Sequence, residues 1–192
     1  KNLKRFGVPA IVGINQFSAD SKAEMAAIRA YCKKLNVPAF ENSHWADGGA
    51  GTEAMARKVV EVADSGKARF KPIYPDKMPL MEKIRTVAKT IYGAKDIAVD
   101  KSVEDQIKRA EAEGFGRFPV CMAKTQYSFS SDPDLKGAPS GFTVPIREVR
   151  LSGGAEFIVA ICGQIMTMPG LPRVPAANSI FVNDAGQIEG LF

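Results

Sequence analysis

Two short apolar segments, Pro9-Ala-Ile-Val-Gly-Ile14 and Val37 to Phe40, flank a stretch carrying Met25, Ile28, Cys32 and Leu35 at helical spacing. This order of strand, loop, helix and strand is a βαβ unit, which narrows the fold to one built on a parallel sheet. Such sheets place their ligands at the C-terminal ends of the strands. The loops Asn15 to Asp20 and Glu41 to Gly51 are therefore where chemistry is expected.

The second loop leads into a predicted helix from Thr52 to Ala63, with Met55, Val59 and Val62 inward. A proline-rich linker, Lys71 to Pro79, then breaks the pattern. Beyond it a helix with Leu80, Ile84, Val87 and Ile91 on one face is expected to end at Gly93. Another begins with Ser102 as its cap and stops at Gly114. From Phe118 the pattern turns to strands: Pro119 to Lys124, Phe142 to Leu151 and Gly154 to Gln164. Pro145 marks the second of these as an edge or bulged strand. Ile180 to Ile188, turning at Asn183 to Gly186, reads as a closing hairpin. An α/β unit over residues 1–70 and an α+β unit over 71–192 are expected, with no internal repeats.

Composition removes whole classes of function. The 192 residues are 45% hydrophobic and 24% charged, with a net charge of +5 spread along the chain rather than gathered into a run. A solvated surface, or a mildly positive site for a small anion, fits this distribution; nucleic acid does not. No stretch approaches the roughly 20 apolar residues of a membrane span. Three widely spaced cysteines (Cys32, Cys121, Cys162) and a single histidine, His44, make no metal pattern. Buried free thiols in a reducing cytosol are expected. The chain opens on Lys1 with no signal-like segment and ends on Gly190-Leu191-Phe192, which reads as a piece of a longer polypeptide with a natural C-terminus.

Several loops carry residues with chemical potential. Gly48-Gly49-Ala50-Gly51-Thr52 opens a helix but lacks the lysine of a P-loop, leaving a structural loop or a plain anion-attracting helix start. His44 stands alone, more in keeping with packing than with acid–base work. Phe17 and Trp45 each follow a strand. They either fill local core or face each other across a gap that clamps a flat heterocycle, each stack adding about 0.5–1.5 kcal/mol. The loops Lys124-Thr125-Gln126-Tyr127-Ser128 and Met166 to Pro172 read either as rigid packing between domains or as site walls.

At these same segments the chain resembles the formate–tetrahydrofolate ligase family. The resemblance is carried by Phe6-Gly7-Val8-Pro9, Ile14-Asn15-Gln16-Phe17, Trp45-Ala46-Asp47-Gly48-Gly49, Ala123 to Ser130 and Gly137-Ala138-Pro139. Ile165 to Pro172 with Pro175-Ala176-Ala177, and the final Gly190-Leu191-Phe192, complete it. The resemblance implies a βαβ edge of a P-loop-type parallel sheet, followed by a smaller α+β domain with C-terminal antiparallel strands. It implies ATP- and Mg²⁺-dependent joining of formate to tetrahydrofolate through formyl phosphate, giving 10-formyltetrahydrofolate, ADP and phosphate. A monovalent cation and a cytoplasmic homo-oligomer belong to the same picture. The family's pterin-stacking aromatics fall on Phe17 and Trp45. Pro139, Met168, Pro169, Gly170 and Leu171 are candidates for the cleft wall. The nucleotide loop and the main catalytic residues are expected upstream of Lys1, in the N-terminal remainder of the enzyme. This chain alone is then expected to hold no ATP or metal and to lack ligase activity. The rival reading is a ligand-free assembly module of the same one-carbon enzyme.

Overall fold

A computed structural model describes residues 1–165 and 173–191. After a short helix, α1 (Asn2–Arg5), strands β1 (Val12–Asn15) and β2 (Ala39–Asn42) pair in parallel, from Val12 opposite Ala39 to Asn15 opposite Asn42. The crossover between them is helix α2 (Lys22–Lys34). Its start is set by a capping box: the Ser21 hydroxyl accepts from the Glu24 N–H, and the Glu24 carboxylate accepts from the Ser21 N–H. Met25 and Cys32 are buried as expected, but Ile28 is 42% exposed, because a two-stranded sheet covers only part of the helix face. The second strand begins two residues later than the apolar pattern suggests. The Val37 N–H returns to the Cys32 carbonyl and Asn36 adopts a left-handed φ of 51°, so Val37 belongs to the helix end.

Helix α3 (His44–Asp47) and a 3₁₀ turn over Gly48–Thr52 lead into α4 (Glu53–Asp64). Met55 and Val62 are half-buried here, whereas Val59 is exposed, contrary to the expected inward trio. The chain then comes back beside its start. Arg69 N–H donates to Gly7 O, Lys71 N–H donates to Phe6 O, and the Phe6 and Phe70 rings stack 6.0 Å apart.

The larger core lies in the remainder of the chain, from Leu80 onward. Helix α5 (Leu80–Val87) runs into a π turn over Ala88–Tyr92 and stops at Gly93, whose left-handed φ of 78° fits the expected glycine cap. Strand β3 (Asp96–Val99), which the residue pattern does not announce, comes next, then α6 (Lys101–Ala112). The cap of α6 is Asp100 rather than Ser102: its carboxylate accepts from the Val103 N–H and the Ser102 hydroxyl. Strands β4 (Val120–Ala123), β5 (Thr143–Ser152) and β6 (Phe157–Cys162) complete a mixed sheet ordered β3-β5-β6-β4. The outer pairs are parallel and the central pair is antiparallel. Leu80 and Ile84 of α5, Val103 and Ile107 of α6, and Val144, Ile146, Ile158 and Ala160 of the sheet pack into one cluster.

Pro145 lies in an interior strand, not at an edge, yet the irregularity it signals is present. The β5–β6 register slips between Ile146 and Glu148. The extra residue turns Val149 back toward the core cluster three positions after Ile146. Where β3 no longer covers β5, the Val149 N–H donates to the Gln106 side chain of α6, 2.8 Å away. Strands β7 (Phe181–Val182) and β8 (Ile188–Glu189) form the closing antiparallel hairpin. The architecture is thus α/β at the start and mixed α+β beyond, as expected.

Lys83 of α5 is fully buried, and its ammonium donates to Gly116 O and Phe118 O, each at 2.9 Å. Burial pushes its pKa down, opposed by the charges of Asp76 and Glu111. Replacing it by methionine leaves two carbonyls without their donor, so Lys83→Met is expected to lower the unfolding free energy by about 1–3 kcal/mol in urea titration. An unchanged midpoint and slope would show that the two bonds contribute nothing net. The Asp100 carboxyl is held below the usual range, first by the Val103 N–H and then by Ser102. Its folded pKa lies below its unfolded one, so its contribution is present above about pH 4 and is lost as pH falls through the lower folded value. Thermal melts on the acid side are expected to decline less steeply for Asp100→Asn than for the unaltered chain.

Candidate functional site

The parallel register brings the ends of β1 and β2 together, and the pairing continues one residue further as Gln16 N–H donates to Asn42 O at 2.9 Å. From there each strand enters a pinned turn. In the first, Asp20 N–H donates to Phe17 O, and the Asp20 carboxylate accepts from Phe17 N–H at 2.8 Å. In the second, Ser43 O accepts from the N–H groups of Ala46 and Asp47, and the Ser43 hydroxyl donates to the Asp47 carboxylate at 2.6 Å. The Ser43 N–H donates to Gly51 O, closing the loop.

These turns hold Phe17 and Trp45 side by side. Their ring centroids are 6.3 Å apart, with the planes inclined at 58°. Phe17 is 49% exposed and Trp45 71%, so neither fills local core. A flat heterocycle sandwiched between parallel rings needs about 7 Å, two van der Waals spacings of about 3.5 Å. The two rings touch each other in this arrangement, and admitting a ligand between them requires them to turn parallel and separate slightly.

Beneath the loops sits Asn42, 3% exposed at the end of β2. Its amide donates to the Met55 sulfur at 3.3 Å, while Oδ1 is buried with no partner among the described residues. Sequence reasoning does not single it out, and a polar residue closing an apolar strand is the only signal. Within the glycine-rich stretch, Gly51 has a steric explanation, whereas Gly48 and Gly49 face open space. A methyl group on Gly51 would lie 2.6 Å from the Ser43 carbonyl carbon and 2.7 Å from the His44 nitrogen. The Thr52 hydroxyl turns back to donate to Gly49 O. The His44 side chain is exposed.

The sequence model of the family described as formate–tetrahydrofolate ligase matches residues 1–192. The chain is 59% identical over 192 residues to the formate–tetrahydrofolate ligase of Ruegeria pomeroyi, 58% to that of Roseobacter denitrificans and 54% to that of Granulibacter bethesdensis. The chain belongs to the formate–tetrahydrofolate ligase family. In each comparison all of the chain is covered but only 34% of the relative, so it spans about a third of the length of these curated proteins.

Other segments of this ligase-family chain are placed elsewhere. Lys124, just past the end of β4, donates to Thr125 O and Ser128 O and lies 4.9 Å from the centre of the Tyr92 ring. Burial lowers its pKa. With two carbonyls and an aromatic face around it, this ammonium ties its loop together. It also lines a cavity of about 390 Å³ with Tyr92, Tyr127, Phe129 and Gly137. Pro139 lies over Gly93 near that cavity, its carbonyl 3.3 Å from where a Gly93 side chain would begin. Met168, Pro169, Gly170 and Leu171 lie outside the described residues. Cys32 and Cys162 are buried, and burial pushes the Cys162 thiol up to about 12. Cys121 departs from the expectation of buried thiols, being exposed on the edge strand β4. Among the described residues no three histidine, cysteine, aspartate or glutamate side chains converge, and no helix is long and apolar enough to cross a membrane.

Because the nearest atoms facing Gly51 are backbone, they cannot yield as a flexible side chain does. Gly51→Ala is therefore expected to displace the Trp45 loop, shifting the tryptophan emission and lowering the melting temperature. An unshifted spectrum with an unchanged melt would contradict the close approach.

Proposed function

We propose that the full-length enzyme joins formate to tetrahydrofolate with ATP, and that this chain supplies the face on which the pterin stacks. The observation that carries the reading is the pair of exposed aromatic rings on adjacent strand-end loops of a family member. Stacking at Phe17 and Trp45 holds the pterin so that its nucleophilic nitrogen reaches the carbon of an activated formyl group. The nitrogen lone pair forms the new C–N bond, phosphate leaves with the C–O electrons, and the nitrogen gives up its proton.

ATP, Mg²⁺ and the monovalent cation are assigned in this reading to the rest of the enzyme. The glycine-rich loop at residues 48–51 has no lysine and Gly51 serves packing, so no phosphate step is routed through this chain. The remaining two-thirds also has surface to cover: Ile28, Tyr31, Val59 and Val60 of α2 and α4 are exposed apolar residues, and among the described residues the β1–β2 pair has two open edges. A division near residue 70, where the chain returns to Phe6 and Gly7, a cytoplasmic setting and a homo-oligomeric enzyme belong to the same proposal.

In the full-length enzyme, Phe17→Ala and Trp45→Ala are each expected to raise the KM for tetrahydrofolate about tenfold while leaving the KM for ATP within about twofold. The chain alone is expected to form no 10-formyltetrahydrofolate from ATP, formate and tetrahydrofolate. Quenching of Trp45, its sole tryptophan, by a reduced folate separates the stacking role from a ligand-free assembly role. Unchanged folate kinetics in both variants would remove the stacking assignment.

A further inference from the structure

We infer that Asp20 is a positioning residue for the pterin clamp: its carboxylate, by accepting from the Phe17 N–H, sets the turn that presents the Phe17 ring to Trp45. The inference rests on the stacking reading above. Four observations lead to it.

Phe17 leaves β1 with no strand partner for its N–H, since the continued pairing ends at Gln16 N–H to Asn42 O. The Asp20 carboxylate takes that N–H at 2.8 Å, while Asp20's own N–H closes on Phe17 O at 3.1 Å. Two bonds thus clasp a four-residue turn from both ends, the arrangement by which aspartate side chains stabilise turns. The Phe17 ring is 49% exposed and has little packing to hold it, so its direction is inherited from the backbone. The helix beyond the turn is capped independently by Ser21 and Glu24, so Asp20 is not needed to start α2.

This separation of tasks is what makes the role testable. Removing the Asp20 acceptor leaves the α2 cap intact and frees the turn, so the Phe17 ring samples orientations that no longer oppose Trp45. Folate binding then weakens without any loss of the groups that handle ATP. Asparagine keeps an acceptor oxygen at the same reach but no charge. A carboxylate acting on the ligand itself, through its charge, would behave differently on that substitution.

The experiment is steady-state kinetics of the full-length enzyme with Asp20→Ala, Asp20→Asn, Asp20→Glu and Phe17→Ala, each checked by thermal unfolding. Asp20→Ala is expected to raise the KM for tetrahydrofolate about three- to tenfold, the range set by losing one hydrogen bond. The kcat at saturating folate and the KM for ATP stay within about twofold. Asp20→Asn restores the wild-type KM, and Asp20→Glu, which carries the acceptor one methylene too far, falls between. Should Asp20→Ala fail to fold, the Glu and Asn pair carries the same contrast. Asp20→Asn as defective as Asp20→Ala would overturn the inference in favour of direct charge recognition of the ligand. Equal losses in kcat and every KM, tracking a lower melting temperature, would overturn it in favour of a general structural role. A normal folate KM in Asp20→Ala, with a raised one in Phe17→Ala, would overturn positioning alone and leave stacking in place. A normal folate KM in Phe17→Ala would overturn the inference and take Phe17 out of the stacking assignment, whatever Trp45→Ala does.

Discussion

The parallel pairing of Val12–Asn15 with Ala39–Asn42 is the constraint from which the candidate site is built. Parallel neighbours cannot be joined by a tight turn, so a crossover helix is obligatory and both strands end on the same edge. Register then does the rest. Asn15 lies opposite Asn42, and one more backbone bond carries the alignment to Gln16. Phe17 and Trp45, 28 positions apart in the chain, are thereby brought into ring contact without any buried anchor of their own. A slip of one residue would move every side chain of the strand to the other face and dissolve the pair.

The two parts of the chain are held by different means. From Leu80 onward, apolar burial is dense: Leu80, Ile84, Val103, Val144, Ile158 and Ala160 are fully buried, and three polar groups beside them are answered, although the buried Ser131 hydroxyl has no partner among the described residues. Lys83 serves two carbonyls, Gln106 covers the N–H exposed where β3 ends, and Asp100 caps α6. In the first part only Ile14, Met25, Cys32 and Asn42 are buried, and the shape depends on backbone pairing, capping and clasped turns. Exposed apolar residues remain on α2 and α4 in this part. It is this sparsely buried part that carries the exposed rings of Phe17 and Trp45.

Where pattern and structure part, the cause is shared. Ile28 and Val59 sit at helical spacing, but spacing reports a face and not whether anything covers it. Asp96 to Val99 is too short and too weakly apolar to announce a strand, and it exists because Thr143 to Ile146 accepts it in parallel. Ser102 has the chemistry of a cap, yet Asp100 lies nearer the helix start and reaches the Val103 N–H. Pro145 lacks a donor, which suggests an edge; the sheet instead places it inside and puts the slip just beyond it.

Local chemistry is enough for what depends on neighbours in the chain: the βαβ order, the glycine stop at Gly93, the closing hairpin and the family motifs. Both loops that carry Phe17 and Trp45 are legible for the same reason, since strand ends are marked where apolar runs meet polar turns. Whether those rings fill local core is decided only by the tertiary structure, which leaves both exposed. The buried acceptor of Asn42, the steric need for Gly51 and the clasp between Asp20 and Phe17 are likewise invisible in the residue order, although the last spans only three residues. Each depends on where a side-chain oxygen or a neighbouring backbone lies in space, and the order of residues does not encode that one atom at a time.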